Sequence, residues 1–175
     1  MNIGQLYEIL RNIHGSCGKW WPGKSEEVFI SAILTQNTNW ANVEKALGNI
    51  KAKLTNVNDL DGNLLRALSA LSDDEIRELI RPAGFFNVKA RRLRNSLNWI
   101  SQYNFDIATV KRKVQDETGL KALRNELLSI NGIGKETADS ILCYGLDLPA
   151  FVVDAYTKRL ISRIFALEGS EIKDY

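Results

Sequence analysis

Gly132-Ile133-Gly134 joins two apolar helical patterns, and Asp154 opens a third, twenty residues beyond the second glycine. A Gly-x-Gly turn can take positive φ and lets a phosphate approach the backbone closely. The helix that starts near Lys135 would aim its first N–H groups and the positive end of its dipole at that turn. Contacts of this kind read a nucleic-acid backbone, not its sequence. A carboxylate at position 154 can stabilise an oxocarbenium-like centre or activate a water, by the logic of glycoside hydrolysis. Each feature also has a plainer use: the turn as a tight connection between helices, and Asp154 as an N-cap. The longer pattern Leu-x-x-Ile-Asn-Gly-Ile-Gly-Lys-Glu-Thr-Ala-Asp, from Leu127 to Asp139, is far more specific than two glycines alone.

Helices must hold these residues. Apolar spacing is helical nearly throughout and no segment alternates like a strand, so the fold class is all-α. The pattern predicts a short helix over Gln5–Asn12, then a loop with Gly15, Gly18, Pro22 and Gly23. Ser25 is expected to cap a strongly apolar helix that has Glu26 and Glu27 in its first turn and ends near Gln36. Asn37 or Thr38 is expected to cap the next, which carries Val43, Ala46, Leu47 and Ile50. Ser72-Asp73-Asp74-Glu75 reads as the capping box of a helix that stops near Pro82 and Gly84. Longer patterns predict helices over Val88–Tyr103, Ile107–Gln115 and Leu120–Ser129, and Cys143 is expected in the core.

The length of 175 residues suits one or two small domains. No apolar run reaches the roughly 18 residues of a membrane helix. The N-terminal MNIGQLYEILRNIHG lacks the apolar block of a signal peptide. A cytoplasmic protein with no membrane partner is therefore expected, nucleoid-associated if the source is prokaryotic. Cys17 and Cys143 are the two cysteines, and no Cys/His cluster exists, so no zinc or iron–sulfur site of four cysteines can be built and no cofactor is expected. The net charge is +2, and 14 of the 23 Lys and Arg side chains follow residue 87, among them Lys89, Arg91, Arg92, Arg94, Lys111, Arg112 and Lys113. That permits nucleic-acid binding without demanding it; KARRLR alone reads more readily as a solvated helix face. His14 has no partner motif and receives no role.

In LTQNTNW (34–40), AGFFNVKARRL (83–93), the hairpin and VVDAYTKRL (152–160), the chain resembles the helix-hairpin-helix DNA glycosylases of the endonuclease III superfamily. The likeness runs from roughly Gly4 to Arg163. The Trp20-Trp21-Pro22 loop and the aromatic after TQNT make it most similar to the 3-methyladenine DNA glycosylase III branch. The resemblance implies two helical domains. A six-helix domain over 25–148 carries the hairpin, and a discontinuous one combines 1–24 with 149–175. Double-stranded DNA containing a damaged base lies in the cleft between them, with that base flipped out. Family members usually continue further, with more helices and in many cases an iron–sulfur cluster. The C-terminal part is accordingly expected to be shortened, with Glu168–Tyr175 as a linker and the protein a monomer or a dimer through exposed C-terminal helices.

On the same resemblance Asp154 matches the essential aspartate. Bifunctional members carry a lysine two residues after the second hairpin glycine, where it forms a Schiff base with the sugar. Here Glu136 stands at that position, and a carboxylate forms no imine. Lys135 is one step away, rotated by about 100° around the helix. A monofunctional glycosylase without lyase activity is implied, with Asp154 and Glu136 as the candidate catalytic positions; Glu136 also suits a helix's first turn. Trp40 matches the stacking aromatic, and Gln36 the residue that fills the space left by the flipped base. One of Trp20 and Trp21, with Pro22, is expected to line the base pocket, because an aromatic face attracts a positively charged purine such as 3-methyladenine by about 1–2 kcal/mol when desolvated. Asn131, Gly132, Ile133, Gly134, Lys135 and Thr137 are expected to form the DNA-binding hairpin, with Ile133 plugged into the core. A monovalent cation on the backbone carbonyls of Ile130 and Ile133 is implied as well. Excision of alkylated purines in base excision repair is the expected function. Excision of oxidised or mismatched bases, or non-catalytic duplex binding, are the alternatives.

Overall fold

The computed structural model describes residues 2–16, 18, 20–54 and 63–165, and no strand occurs among them. The helices are α1 (Ile3–His14), α2 (Ser25–Leu34), α3 (Trp40–Leu54), α4 (Leu64–Ala70), α5 (Asp73–Ile80), α6 (Phe86–Ser101), α7 (Ile107–Arg112), α8 (Glu117–Ser129), α9 (Lys135–Ser140) and α10 (Ala155–Phe165). A 3-10 turn, Arg81–Ala83, follows α5, and a π-turn, Ile141–Gly145, extends α9. The expected linker Glu168–Tyr175 and the end of the discontinuous domain lie outside the described residues.

The core is built around α2. All residues from Val28 to Leu34 are buried, as befits a helix that is apolar on every side. Around it pack α3, α4, α6, α9 and the π-turn. The π-turn packs on α2 at Gly145, where a Cβ would stand 3.5 Å from Val28 Cγ1, an ordinary contact distance. Ile133, Ala138, Ile141 and Leu142 join the same buried cluster, so the hairpin is anchored in the core. The full burial of Ile133 contributes about 1.5–3 kcal/mol.

Local chemistry explains most helix starts. Ser72 and Glu75 form the reciprocal capping box at α5. Five helix starts differ from the expectation, α1 beginning at Ile3 instead of Gln5 and α8 at Glu117 instead of Leu120. Ser25 does not cap α2; it is the first helical residue, and Lys24 at the cap position makes no side-chain bond. Glu26 and Glu27 hold that end instead, Glu26 by accepting from the Leu64 N–H at 3.2 Å and Glu27 by pairing with Lys51 at 2.7 Å. The cap of α3 is neither Asn37 nor Thr38 but Asn39, whose Oδ1 accepts from the Asn42 N–H at 3.0 Å. Asn37 turns the chain at φ 52°, and Thr38 Oγ1 accepts from the Asn42 side chain. The helix expected at Val88 starts at Phe86, after Phe85 at φ 46°.

Among the described residues, eight α-helices lie between Ser25 and Gly145, where a six-helix domain was expected. The additional elements are short. One is α4, a nearly continuous apolar run without clear periodicity, capped by Asn63. Cys143 is half-buried, not in the core. α1 buries Leu6 alone, and α10 buries none of its residues.

Candidate DNA-repair site

The hairpin is α8, the turn Ile130–Gly134 and α9. The Arg124 guanidinium donates twice to the buried Asp139 carboxylate, at 2.7 and 2.9 Å, and ties the two helices together. The Ile133 N–H closes the turn on the Ile130 carbonyl at 3.0 Å. Beneath it lies α6: Asn95 donates to the Asn131 carbonyl at 2.9 Å, and the Arg92 stem fills the space under Gly132.

The two glycines do different work. Gly132 has φ 102°, and a Cβ there would fall 2.2 Å from Arg92 Cγ, so conformation and space both demand glycine. Gly134 is extended at φ −92° and serves as the N-cap of α9. The expectation that both use positive φ therefore holds for Gly132 alone. A Cβ at Gly134 would meet nothing within 4 Å. Its backbone faces open space in front of the first N–H groups of α9, where an anion is favoured.

A cavity of about 810 Å³ opens beside this turn. Trp21, Gln36, Gly132, Ile133, Gly134, Lys135, Glu136 and Thr137 line it together. Arg92, Lys158, Asn37, Ser140, Val153 and Ala155 also line it, and the sequence had not singled these out for the site. Three basic side chains against one carboxylate give the cavity the charge that suits a nucleic-acid backbone.

Gln36 is woven into the site. Its Nε2 donates to the Gly132 carbonyl at 3.0 Å and to Thr137 Oγ1 at 2.9 Å, and its Oε1 accepts from Arg92. Its amide is held within the protein, and Asn37, exposed and left-handed, forms the neighbouring tip. Thr137 is buried and its hydroxyl faces Gln36, so it can offer a phosphate its backbone N–H but not its side chain. Asn131, Lys135 and Glu136 are exposed.

The aromatic residues separate. Trp20 is 74% exposed, and neither it nor Pro22 lines the cavity. Trp21 does, and its Nε1 donates to the buried Ser31 Oγ at 2.7 Å. Trp40 meets Trp21 edge-on, with centroids 5.7 Å apart. Tyr144, which the sequence reading missed, lies 5.4 Å from Trp21 at a 30° tilt. Burial, helped by the charges of Cys143 and Asp154, pushes the Tyr144 phenol above its ordinary pKa.

Asp154 sits between two cavity-lining residues, Val153 and Ala155, and caps α10: its Oδ1 accepts from the Thr157 N–H at 2.7 Å. Its Oδ2 has no hydrogen bond among the described residues. Capping and chemistry are therefore compatible, one oxygen for each. Lys158, one turn further along α10, also faces the cavity. Below the site Lys89 is fully buried and donates to the Leu34 carbonyl at 2.9 Å and the Ala83 carbonyl at 2.8 Å. It links the end of α2, which leads to Gln36, with the turn before α6.

A hairpin anchored in a helical core thus lies beside a charged cavity with an aromatic wall, next to an aspartate at a helix start. Residues 30–174 match the family described as HhH-GPD superfamily base excision DNA repair protein, and the chain belongs to that family. It is 47% identical over 165 residues to the "Putative DNA repair glycosylase MJ1434" of Methanocaldococcus jannaschii, covering 93% of this chain and 69% of that protein. It is 28% identical to the endonuclease III of Thermotoga maritima over 78% of this chain and 55% of that one, and so spans about half of that relative's length. Among solved structures, the 3-methyladenine DNA glycosylase of H. pylori bound to 1,N6-ethenoadenine aligns with a TM-score of 0.73 and 32% identity, over 98% of this chain and 73% of that one. An endonuclease III–DNA complex aligns at 0.70 with 19% identity, a likeness of fold.

Proposed function

We propose that this protein is a monofunctional DNA glycosylase that hydrolyses the N-glycosidic bond of alkylated purines, 3-methyladenine foremost, at the start of base excision repair. The observation that carries the reading is the shared cavity. The hairpin backbone, the Trp21 indole and the residues flanking Asp154 all face it.

The phosphate beside the lesion docks on the Gly134 end of α9. The flipped purine stacks on Trp21. A methylated purine is positively charged and departs as a neutral base, so modest help suffices. As the glycosidic bond breaks, positive charge grows at the sugar and the Asp154 carboxylate opposes it, or takes a proton from the attacking water. The sugar gains the hydroxyl, the base leaves, and the strand stays whole. Glu136 stands where an amine would be needed for strand cleavage. A monovalent cation held by the carbonyls of Ile130 and Ile133 would add positive charge near the phosphate; neutral oxygens suit such a weakly bound ion. A double-stranded DNA partner agrees with a cytoplasmic protein working at the nucleoid if the cell is prokaryotic.

A second reading rests on α10. The helix that begins just after Asp154 buries none of its residues, as in a duplex-binding module without catalysis. Parallel assays on duplexes carrying methylated purines, 8-oxoguanine or a mismatch distinguish these readings. Free base is expected from the methylated duplex alone. Release from the oxidised or mismatched duplex would overturn the substrate class, and equal binding of all three with no release would favour the module.

A further inference from the structure

We infer that Tyr144 and Ser31 are positioning residues for base recognition, which fix the Trp21 indole as a rigid wall of the cavity. The inference rests on the glycosylase reading and names what holds the aromatic wall of that cavity in place.

Trp21 sits in a loop, between the exposed Trp20 and the Pro22-Gly23 turn, with Gly23 at φ 97°. An indole on such a loop would ordinarily be free to rotate. Three contacts stop it. Its N–H donates to Ser31 Oγ at 2.7 Å. Ser31 is fully buried on α2, and its own hydroxyl donates to the Val28 carbonyl at 3.3 Å, so a lone pair remains for Trp21. Tyr144 packs against the indole, with ring centroids 5.4 Å apart at a 30° tilt. Trp40 meets it edge-on.

Tyr144 owes its place to the π-turn Ile141–Gly145, a distortion frequent at functional sites. The turn packs on α2 through Gly145, which brings Tyr144 against the loop. Two consequences follow. With its N–H engaged, Trp21 presents a base with π surface and no donor. With Tyr144 and Trp40 packed against it, the ring is held in one orientation. A preset π surface attracts an electron-poor ring without first having to be ordered.

The test uses Tyr144→Leu, Tyr144→Phe and Ser31→Ala in the full chain. The measurements are KM and kcat for base release from methylated duplex, Kd for undamaged duplex, and hydrogen exchange at the Trp21 indole N–H by NMR. Tyr144→Leu is expected to raise KM about tenfold, in the range of an aromatic pair. Its kcat and undamaged-duplex Kd should stay within about twofold, and Tyr144→Phe should restore KM. Ser31→Ala should lose indole protection and raise KM in the same sense. Unchanged KM in both Tyr144→Leu and Ser31→Ala would overturn the proposal, as would equal losses in KM and undamaged-duplex Kd, which indicate a damaged fold. If the wild type releases no base, the glycosylase reading fails by itself. Indole protection in wild type and its loss in Tyr144→Leu and Ser31→Ala would still support the rigid wall, and an unprotected wild-type indole would overturn it.

Discussion

Gln36 and Thr137, 101 positions apart, meet at 2.9 Å, Nε2 to Oγ1, and the same amide reaches the Gly132 carbonyl at 3.0 Å. The turn after α2 is thereby fastened to the hairpin, and Arg92 closes the arrangement from α6. Gln36→Ala would leave a buried hydroxyl and a carbonyl without their donor. A loss of about 1–3 kcal/mol is expected, measured as a lower urea midpoint, together with weaker binding of undamaged duplex. Unchanged stability would mean that the bridge contributes little.

The two hairpin glycines should respond differently. Gly132→Ala forces a side chain into positive φ and against the Arg92 stem, and should destabilise by about 1–3 kcal/mol. Gly134→Ala has ordinary φ and open space, so its only stability cost should be that of alanine at an N-cap, about 1 kcal/mol or less. Its duplex affinity should nevertheless fall, because a methyl group would stand where the phosphate approaches. Denaturation curves beside Kd values separate the two effects. Gly134→Ala with wild-type Kd would place the phosphate elsewhere.

Lys89 gives the fold a pH signature. Burial, with Arg92 nearby, lowers it from 10.5 to about 8. Between about pH 8 and 10.5 the unfolded chain then holds the proton that the folded chain has released, so stability rises with pH in that window. The unfavourable contribution is present in full below pH 8 and fades above it. Wild type should therefore gain on Lys89→Met between pH 7.5 and pH 9.5, as read by urea midpoints. Lys89→Met itself should lose about 2–3 kcal/mol at neutral pH, because two buried carbonyls lose a charged donor. A constant difference between the two proteins across this range would contradict the shift.

Which parts of this were legible in the sequence has a physical pattern. Signals carried by neighbouring residues could be read: the Ser72 capping box, the glycine that the hairpin needs at 132, the helix start at Lys135 and the cap at Asp154. Contacts between distant segments could not. Nothing near Gln36 announces Gly132 or Thr137, and nothing near Trp21 announces Tyr144, which depends on a π-turn without a sequence signature. KARRLR is polar and reads as a solvated face, whereas the Arg92 stem lies under Gly132. Lys158 had a usable signal: it stands four residues after Asp154, on the same face of α10.

Glu136 tests the absence of lyase chemistry. Wild type incubated with an abasic duplex and borohydride should give no covalent adduct. Glu136→Lys places an amine on the cavity wall and should give one, because its neutral form can attack the sugar aldehyde. An adduct with wild type would show that another amine, Lys135 or Lys158, serves the sugar, and the protein would be bifunctional.

In the proposed reaction Asp154 carries hydrolysis while the strand stays intact. The most direct measurement is single-turnover release of 3-methyladenine from methylated duplex by wild type and Asp154→Asn, with strand breaks counted before and after alkali. Asparagine can still accept the Thr157 N–H and keep the cap, so stability should change little. Release by wild type, a loss of at least about 100-fold in Asp154→Asn, and breaks only after alkali are expected. Equal release by the two proteins, or breaks before alkali with wild type, would contradict the account.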